Sequence, residues 1–475
     1  MRDFLGFHSE WNLGSPGGWE YQRITQELGT LFWKRILEHV PIDLPLSFDH
    51  PLFNPVEGFS KLLLRAHARH FPDAKPFFVL TAEPDTLETV VENSNFVARM
   101  DSLPDVDAVL SAPHEIESRN GEIYCQGHRV TVIFMDFNAD VMLELEKEYD
   151  LGGLRAAIRK GLVVNPKGME PVGIKSVFEA VTGPLSGKLH RTTVERTPWT
   201  RLCYDRSTTG PSGEDIPDFP DWMVKNLHRL VLKPVQGYSG KGVIVGYTSQ
   251  NPAGDVETAL SAGNYIAQEL VPLTLWGEDS PWMVEGEVFL KRWQTDFRCL
   301  ITDHGVIGFL ARFGGVPTNV GSGGGTQPLA CLPGNTATHP VVDALNRTIT
   351  SLPYATLSQI KAEVDARAVE LGNTYLLGPI PLALRPRILN QAQIAALETY
   401  GQNIWQDCVT LSRIWREGGL GRTAKITDAE RAVADMAPWN GEPAMMAVDG
   451  LFSFGGHPDE HEQPAGGKVP GRETL

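Results

Sequence analysis

The stretch Val231-Leu232-Lys233-Pro234-Val235-Gln236-Gly237-Tyr238-Ser239-Gly240-Lys241-Gly242-Val243-Ile244-Val245 sets a lysine at the end of one strand and a loop with three glycines before the next. An ammonium group and several backbone N–H groups of a flexible loop can converge there on a polyphosphate. The pattern GxxxxGK[ST] is absent and the loop leads into a strand, so anion binding at a helix N-terminus is not the device. Further on, Tyr265-Ile266-Ala267-Gln268-Glu269-Leu270-Val271-Pro272 reads as a strand running into a hinge, whose backbone N–H and C=O groups can read the edge of an adenine. Asp296-Phe297-Arg298 lies on a later strand, followed by Arg312 and by Asn319 ahead of Gly321-Ser322-Gly323-Gly324-Gly325. Two guanidinium groups on neighbouring strands can neutralise a transferring phosphoryl group.

These residues need a frame. Phe4 to Asn12 reads as a strand ending in Gly14-Ser15-Pro16-Gly17-Gly18, and Tyr21 to Val40 has the spacing of an amphipathic helix. Strands at 76–80 and 106–110 around a helix from Asp85 to Met100 give β-α-β alternation, hence a small parallel sheet. A second α/β unit is expected from the strand at 130–135, with one helix from Val141 to Lys160. Strands at 230–233, 242–247, 265–270, 295–302 and 306–312 read as an antiparallel meander. Ile394, Leu397, Gly401, Ile404, Trp405, Cys408, Leu411, Ile414 and Trp415 recur at three- and four-residue steps, so one long helix is predicted between an Asn390 N-cap and Gly418. Met445 to Phe454 reads as a last strand.

In this order, the lysine, Gly-rich loop, Gln-Glu hinge, Asp-x-Arg strand, second arginine and Asn before a Gly cluster resemble the ATP-grasp superfamily, over about residues 174–332. Members of that superfamily clamp ATP between two α+β subdomains, and most ligate a carboxylate to an amine. The resemblance implies that Lys233 contacts the α- and β-phosphates, that the loop Gly237, Tyr238, Ser239, Gly240 to Gly242 covers the β- and γ-phosphates, and that Gln268, Glu269, Leu270 and Val271 hold the adenine. It also implies a first ATP lysine, matched by Lys175 ahead of Pro198-Trp199-Thr200, with Ile174 where the family has an acid. Arg298, Arg312 and Asn319 take the catalytic positions.

The family also uses Mg²⁺, bound by an Asp and by a Glu-x-Asn pair before a Pro-Gly, normally near the C-terminal end of the fold. Here the match is Glu10 and Asn12 in Ser9-Glu10-Trp11-Asn12-Leu13-Gly14-Ser15-Pro16-Gly17. Strand alternation puts both on one face, and hard oxygen ligands suit Mg²⁺. The Asp partner is Asp449 in Ala447-Val448-Asp449-Gly450. Such an order implies a circularly permuted ATP-grasp fold, similar to glutathionylspermidine synthase-like proteins and natural-product peptide ligases. Asp136 with Asn165 ranks second as a metal pair, because no Glu stands two residues before Asn165.

The expected class is thus α+β, with an N-terminal α/β domain over 1–125 that carries a metal strand and nucleotide-binding subdomains over 126–335. A helical segment with a last strand follows over 336–456, and then a disordered tail over 457–475. The chain has 475 residues, 42% hydrophobic and 21% charged, with a formal charge of −16, so its average surface repels nucleic acid and anionic membrane. The N-terminus is charged and no apolar run is long enough to cross a bilayer, which predicts a cytoplasmic protein. The five cysteines show no metal-ligand spacing and are expected to be reduced and mostly buried. HExxH and GxSxG are absent, which argues against zinc and α/β-hydrolase chemistry.

The expected activity is an ATP-dependent carboxylate–amine ligase working through an acylphosphate, with ATP and Mg²⁺ as cofactors and small-molecule or peptide carboxylate and amine substrates. A homodimer is open to it. The alternatives are a small-molecule kinase with the same clamp and a nucleotide-binding protein without catalysis.

Overall fold

The computed structural model describes residues 6–237, 241–270, 277–315, 318, 320–375 and 378–452. The chain is α+β, and three sheets position its polar residues.

The N-terminal part builds strand β1 (Gly6–Asn12), helix α1 (Trp19–His39), helix α2 (Pro55–His70), strand β2 (Phe77–Thr81), helix α3 (Val91–Asp101) and strands β3 (Asp107–Ser111) and β4 (Val132–Met135). β2 pairs in parallel with both β3 and β4, in the order β3-β2-β4. Strands covered on both faces must be apolar throughout. Accordingly Phe78, Leu80, Val132 and Phe134 pack against Trp19, Phe59 and Phe96, while Phe77, Val79, Ile133 and Met135 pack against Leu154 and Ile158.

This sheet corrects two expectations. The strand after 130 does not open a second unit, because it completes the sheet begun at Phe77, and the boundary at 125/126 cuts through that sheet. A small antiparallel ribbon over 116–129 separates them in sequence. The helix expected over 141–160 is two helices, α4 (Ala139–Leu145) and α5 (Gly152–Arg159). Inside α5, a Cβ on Gly153 would lie 1.9 Å from the Ile116 carbonyl oxygen, so the helix packs on the 116–129 ribbon at a distance only glycine allows. The helix expected from Asp85 likewise starts only at Val91, after a run of turns.

The middle of the chain divides between two further sheets instead of forming one meander. Strands β5 (Thr200–Leu202), β6 (Leu230–Pro234), β7 (Ile244–Val245) and β8 (Tyr265–Glu269) make an antiparallel sheet in the order β7-β6-β8-β5. Its outer face packs Leu230, Leu232 and Ala267 on Trp199, Phe219 and Met223. The strand expected over 242–247 is short because the chain turns at Gly246, where a Cβ would meet the Leu227 oxygen at 1.7 Å.

The central sheet is also antiparallel. It contains β9 (Gly277–Val284), β10 (Glu287–Thr302), β11 (Gly305–Gly314) and β12 (Gly325–Gln327). The next strand, β13 (Leu329–Leu332), precedes helices α6 (His339–Ser351) and α7 (Tyr354–Glu370), two helices the periodicity reading passed over. Strand β14 (Arg387–Asn390), parallel to β13, leads into α8 (Gln391–Arg416), and β15 (Met445–Phe452) closes the described chain. The central order is β1-β15-β10-β11-β12, so the first and last described strands lie side by side.

Helix α8 forms as its pattern predicts. Asn390 and Gln393 cap it reciprocally, Gly418 follows with φ 80°, and Ile404, Cys408 and Leu411 pack under Phe297, Cys299, Ile301 and Val448. Among the described residues no helix is long and apolar enough to cross a membrane. All five cysteines are buried free thiols. The tail from 457 lies outside the described residues.

Candidate functional site

One face of the central sheet carries charge where the other carries core, and a bulge in β1 creates the difference. β1 pairs with β15 so that His8 faces Gly450 and Glu10 faces Asp449, leaving Ser9 as the extra residue. A bulge re-aims the side chains beyond it. His8 therefore sits in the core with its ring nitrogens on Tyr400 and Thr197, while Glu10 and Asn12 turn to the opposite face, beside Asp449. Directly opposed residues of an antiparallel pair hold their Cβ atoms about 5 Å apart. Asn12 Nδ2 donates to Asp449 Oδ2 at 3.2 Å.

The next strands extend this face. Arg298 on β10 is opposite Asp449 and grips it with two bonds of 2.6 Å. Arg312 on β11 grips Asp296 at 2.7 and 2.9 Å and reaches Asp449 Oδ2 at 3.5 Å. Burial would raise the Asp449 carboxyl, yet the two arginines hold it below the usual carboxylate range. Burial likewise opposes the Arg312 charge, but Asp296 and Asp449 outweigh it and hold the guanidinium above its usual range.

Facing this sheet is the inner side of the β5–β8 sheet. Lys233 Nζ donates to Gln268 Oε1 at 2.8 Å, and Gln268 Nε2 donates to Thr200 Oγ1 at 3.1 Å, a relay across three neighbouring strands. Desolvation pushes the Lys233 ammonium down to about 8, with Glu10 raising it and Lys175 lowering it further. Lys175 joins the two sheets, bonding Glu10 Oε1 at 2.8 Å and the Gly237 carbonyl at 2.9 Å. Four cations (Lys175, Lys233, Arg298, Arg312) thus stand against three carboxylates (Glu10, Asp296, Asp449). The cluster keeps one positive charge in a chain of −16. Such a cluster attracts an anion that the rest of the surface repels.

Some residues named from sequence take other positions. The N–H of Glu269 donates to Trp199 O at 2.8 Å and that of Leu270 to Arg229 O at 2.9 Å, so neither is open to an adenine edge. The Gln268 side chain, 2% exposed, organises Lys233. Asn165 is a structural bracket: Nδ2 donates to Gly14 O and Met445 O, and Oδ1 accepts from Met445 N–H, so it ligates nothing with Asp136. Tyr238, Ser239, Gly240, Val271 and Asn319 lie outside the described residues. Sequence reasoning missed Asp296 as a member of the cluster, although its place two residues before Arg298 puts both on one strand face. Thr318, which donates to Asp296 Oδ2 at 2.5 Å, carried no signal.

The turn after β1 completes the face. Arg298 Nη1 donates to the Gly17 carbonyl at 2.7 Å, and the N–H of the same peptide, from Gly18, meets both Glu92 oxygens at 3.0 Å. Gly18 has φ 102°, and a Cβ on it would stand 2.5 Å from Leu310 Cδ2. Gly18→Ala should therefore cost about 2 kcal/mol, combining left-handed strain with displacement of Leu310. Chemical denaturation checks this, and a loss below ~0.5 kcal/mol would mean that the turn relaxes freely.

No family model and no curated protein sequence matches the chain.

Proposed function

We propose that the chain is an ATP-dependent carboxylate–amine ligase, built as a circularly permuted ATP-grasp fold with the nucleotide between the β5–β8 sheet and the central sheet. The observation that carries this reading is the cluster on the two facing sheets, where Lys175, Lys233, Arg298 and Arg312 surround Glu10, Asn12 and Asp449. Phosphoryl transfer needs positioning and charge neutralisation above all, and these groups supply both. The adjacency of β1 and β15 supports the permutation, because a cut between neighbouring strands leaves the sheet whole.

Lys233 and Lys175 would hold phosphate oxygens, with the Gly237 carbonyl tying the start of the glycine loop to Lys175. Glu10, Asp449 and Asn12 carry the hard oxygens that Mg²⁺ takes, and the ion would have to draw Asp449 from Arg298, which bonds both its oxygens, and Glu10 from Lys175. When bound, that ion would offset charge on the phosphates. The carboxylate substrate attacks the γ-phosphorus, ADP leaves, and the amine then displaces phosphate from the acylphosphate. Arg298 and Arg312 neutralise the charge on the transferring group.

The test incubates the chain with Mg²⁺–ATP and a panel of amino acids and peptides, with hydroxylamine as amine. Carboxylate-dependent release of ADP and phosphate with a hydroxamate product is expected. Phosphate retained on a product would make the protein a kinase, and ATP binding without turnover on any carboxylate would make it a non-catalytic nucleotide binder.

A further inference from the structure

Across the Gly17–Gly18 peptide from Arg298 lies a second polar cluster for which nucleotide chemistry has no use. Glu92 accepts the N–H groups of Gly18, Glu20 (2.9 Å) and Tyr21 (3.4 Å), closing the N-terminus of α1. Asp136 follows β4 at the carboxyl edge of the parallel sheet, where Asn93 Nδ2 donates to one of its oxygens at 2.7 Å. Glu83 follows β2 on the same edge and adds a third carboxyl within electrostatic range of Asp136. The cation in range is Lys167, and its ammonium is held by Glu170 at 2.7 Å and the Phe137 carbonyl at 3.0 Å.

A separate observation points to a ligand. Tyr21 is 6% exposed and its hydroxyl has no hydrogen-bond partner among the described residues, although Glu92 and Asp136 are in electrostatic range. A buried hydroxyl left unpaired is costly, and a bound polar group would satisfy it. Its ring stands edge-on to Tyr375, with centroids 5.6 Å apart at 85°. Asp136 and Tyr375 are only half-buried, so the cluster is reachable, and crevices at the carboxyl ends of parallel strands are where ligands bind in such sheets.

We propose that this cluster is the amine subsite, holding the ammonium of a primary amine between Asp136 and the Tyr21 hydroxyl with the Tyr21–Tyr375 ring pair against its stem. Carboxylates and aromatic faces both favour a cation. Burial pushes the Asp136 carboxyl up to about 6 against the opposing pull of Asn93 and Lys167, and burial with Asp136 nearby pushes the Glu92 carboxyl up to about 8 against its backbone N–H donors. One peptide unit separates this cluster from the Arg298–Asp449 pair, and Tyr375 is in range of both Asp136 and Arg298. The role as amine donor site rests on the ligase reading, but the binding itself needs no nucleotide.

The test titrates the full chain, without nucleotide, with glycinamide and with its uncharged analogue acetamide, by calorimetry or ligand-observed NMR. Glycinamide should bind and acetamide should not, and Asp136→Asn should weaken glycinamide at least tenfold. Tyr21→Phe should weaken it at least threefold, and it decides the matter if Asp136→Asn fails to fold. Absence of glycinamide binding, equal binding of acetamide, or smaller effects in the variants would overturn the proposal. ATP binding by the wild-type chain is measured separately, so glycinamide binding without ATP binding would remove the ligase reading and leave the ammonium site standing.

Discussion

Lys233→Ala is expected to weaken ATP binding by about 10- to 100-fold, because a hydrogen bond to a charged group contributes about 1.5–3 kcal/mol and each 1.4 kcal/mol is tenfold. The sequence alone suggests that an end-of-strand lysine can be removed without harm to the fold. Its bond to the buried Gln268 carbonyl changes that expectation. Removing the ammonium leaves this oxygen unpaired and should cost about 1–3 kcal/mol of stability. Calorimetry with ATP and a parallel denaturation curve separate the two effects. Because desolvation lowers the Lys233 ammonium to about 8, wild-type affinity should also fall as pH rises through 8, and the variant should lack that limb. An unchanged affinity in the variant would remove Lys233 from the proposed nucleotide site.

What could be read from sequence, and what could not, follows the range of the interactions concerned. Glu10 and Asn12 were legible because side chains alternate along a strand, which is a local rule. The bulge at Ser9 was not, since it exists only relative to β15, at the far end of the chain. It decides the facing of Glu10, which without the shift would share the face of buried His8 instead of standing beside Asp449. Helix α8 was legible from its period and caps. Helix α7 carries the same kind of signal in Leu357, Ile360 and Val364, and its polar remainder obscured it. The place of β4 was illegible because the ribbon over 116–129 interrupts the β-α-β rhythm and reads as a boundary. The arginines were found as residues, but not as pairs. Their carboxylate partners Asp449 and Asp296 are fixed by register between strands, which no spacing within one strand encodes.

That pairing sets the second large expectation. Asp449, 7% exposed, is gripped by Arg298 and touched by Arg312, so Asp449→Asn leaves the half-buried Arg298 guanidinium without its counter-charge and the buried Arg312 with Asp296 alone. Breaking a buried pair by removing one partner costs about 3–5 kcal/mol. The arginines hold the Asp449 carboxyl below its unfolded value, so its contribution is fully present above pH ~4 and is lost as pH falls through the folded pKa. The gap between wild type and variant should therefore be widest near neutral pH and close in acid. Denaturant curves at pH 7 and at pH 3 measure it, and a loss below ~1 kcal/mol at pH 7 would show that the pair is not a structural anchor. Function adds a second readout. With one carboxylate fewer, the cluster should lose response to Mg²⁺ while keeping its attraction for phosphate. Glu10→Gln should do the same with a smaller loss of stability, because Glu10 is only half-buried and its cation, Lys175, also holds the Gly237 carbonyl. Equal Mg²⁺ dependence in both variants and in the wild type would leave Asp449 an anchor and nothing more.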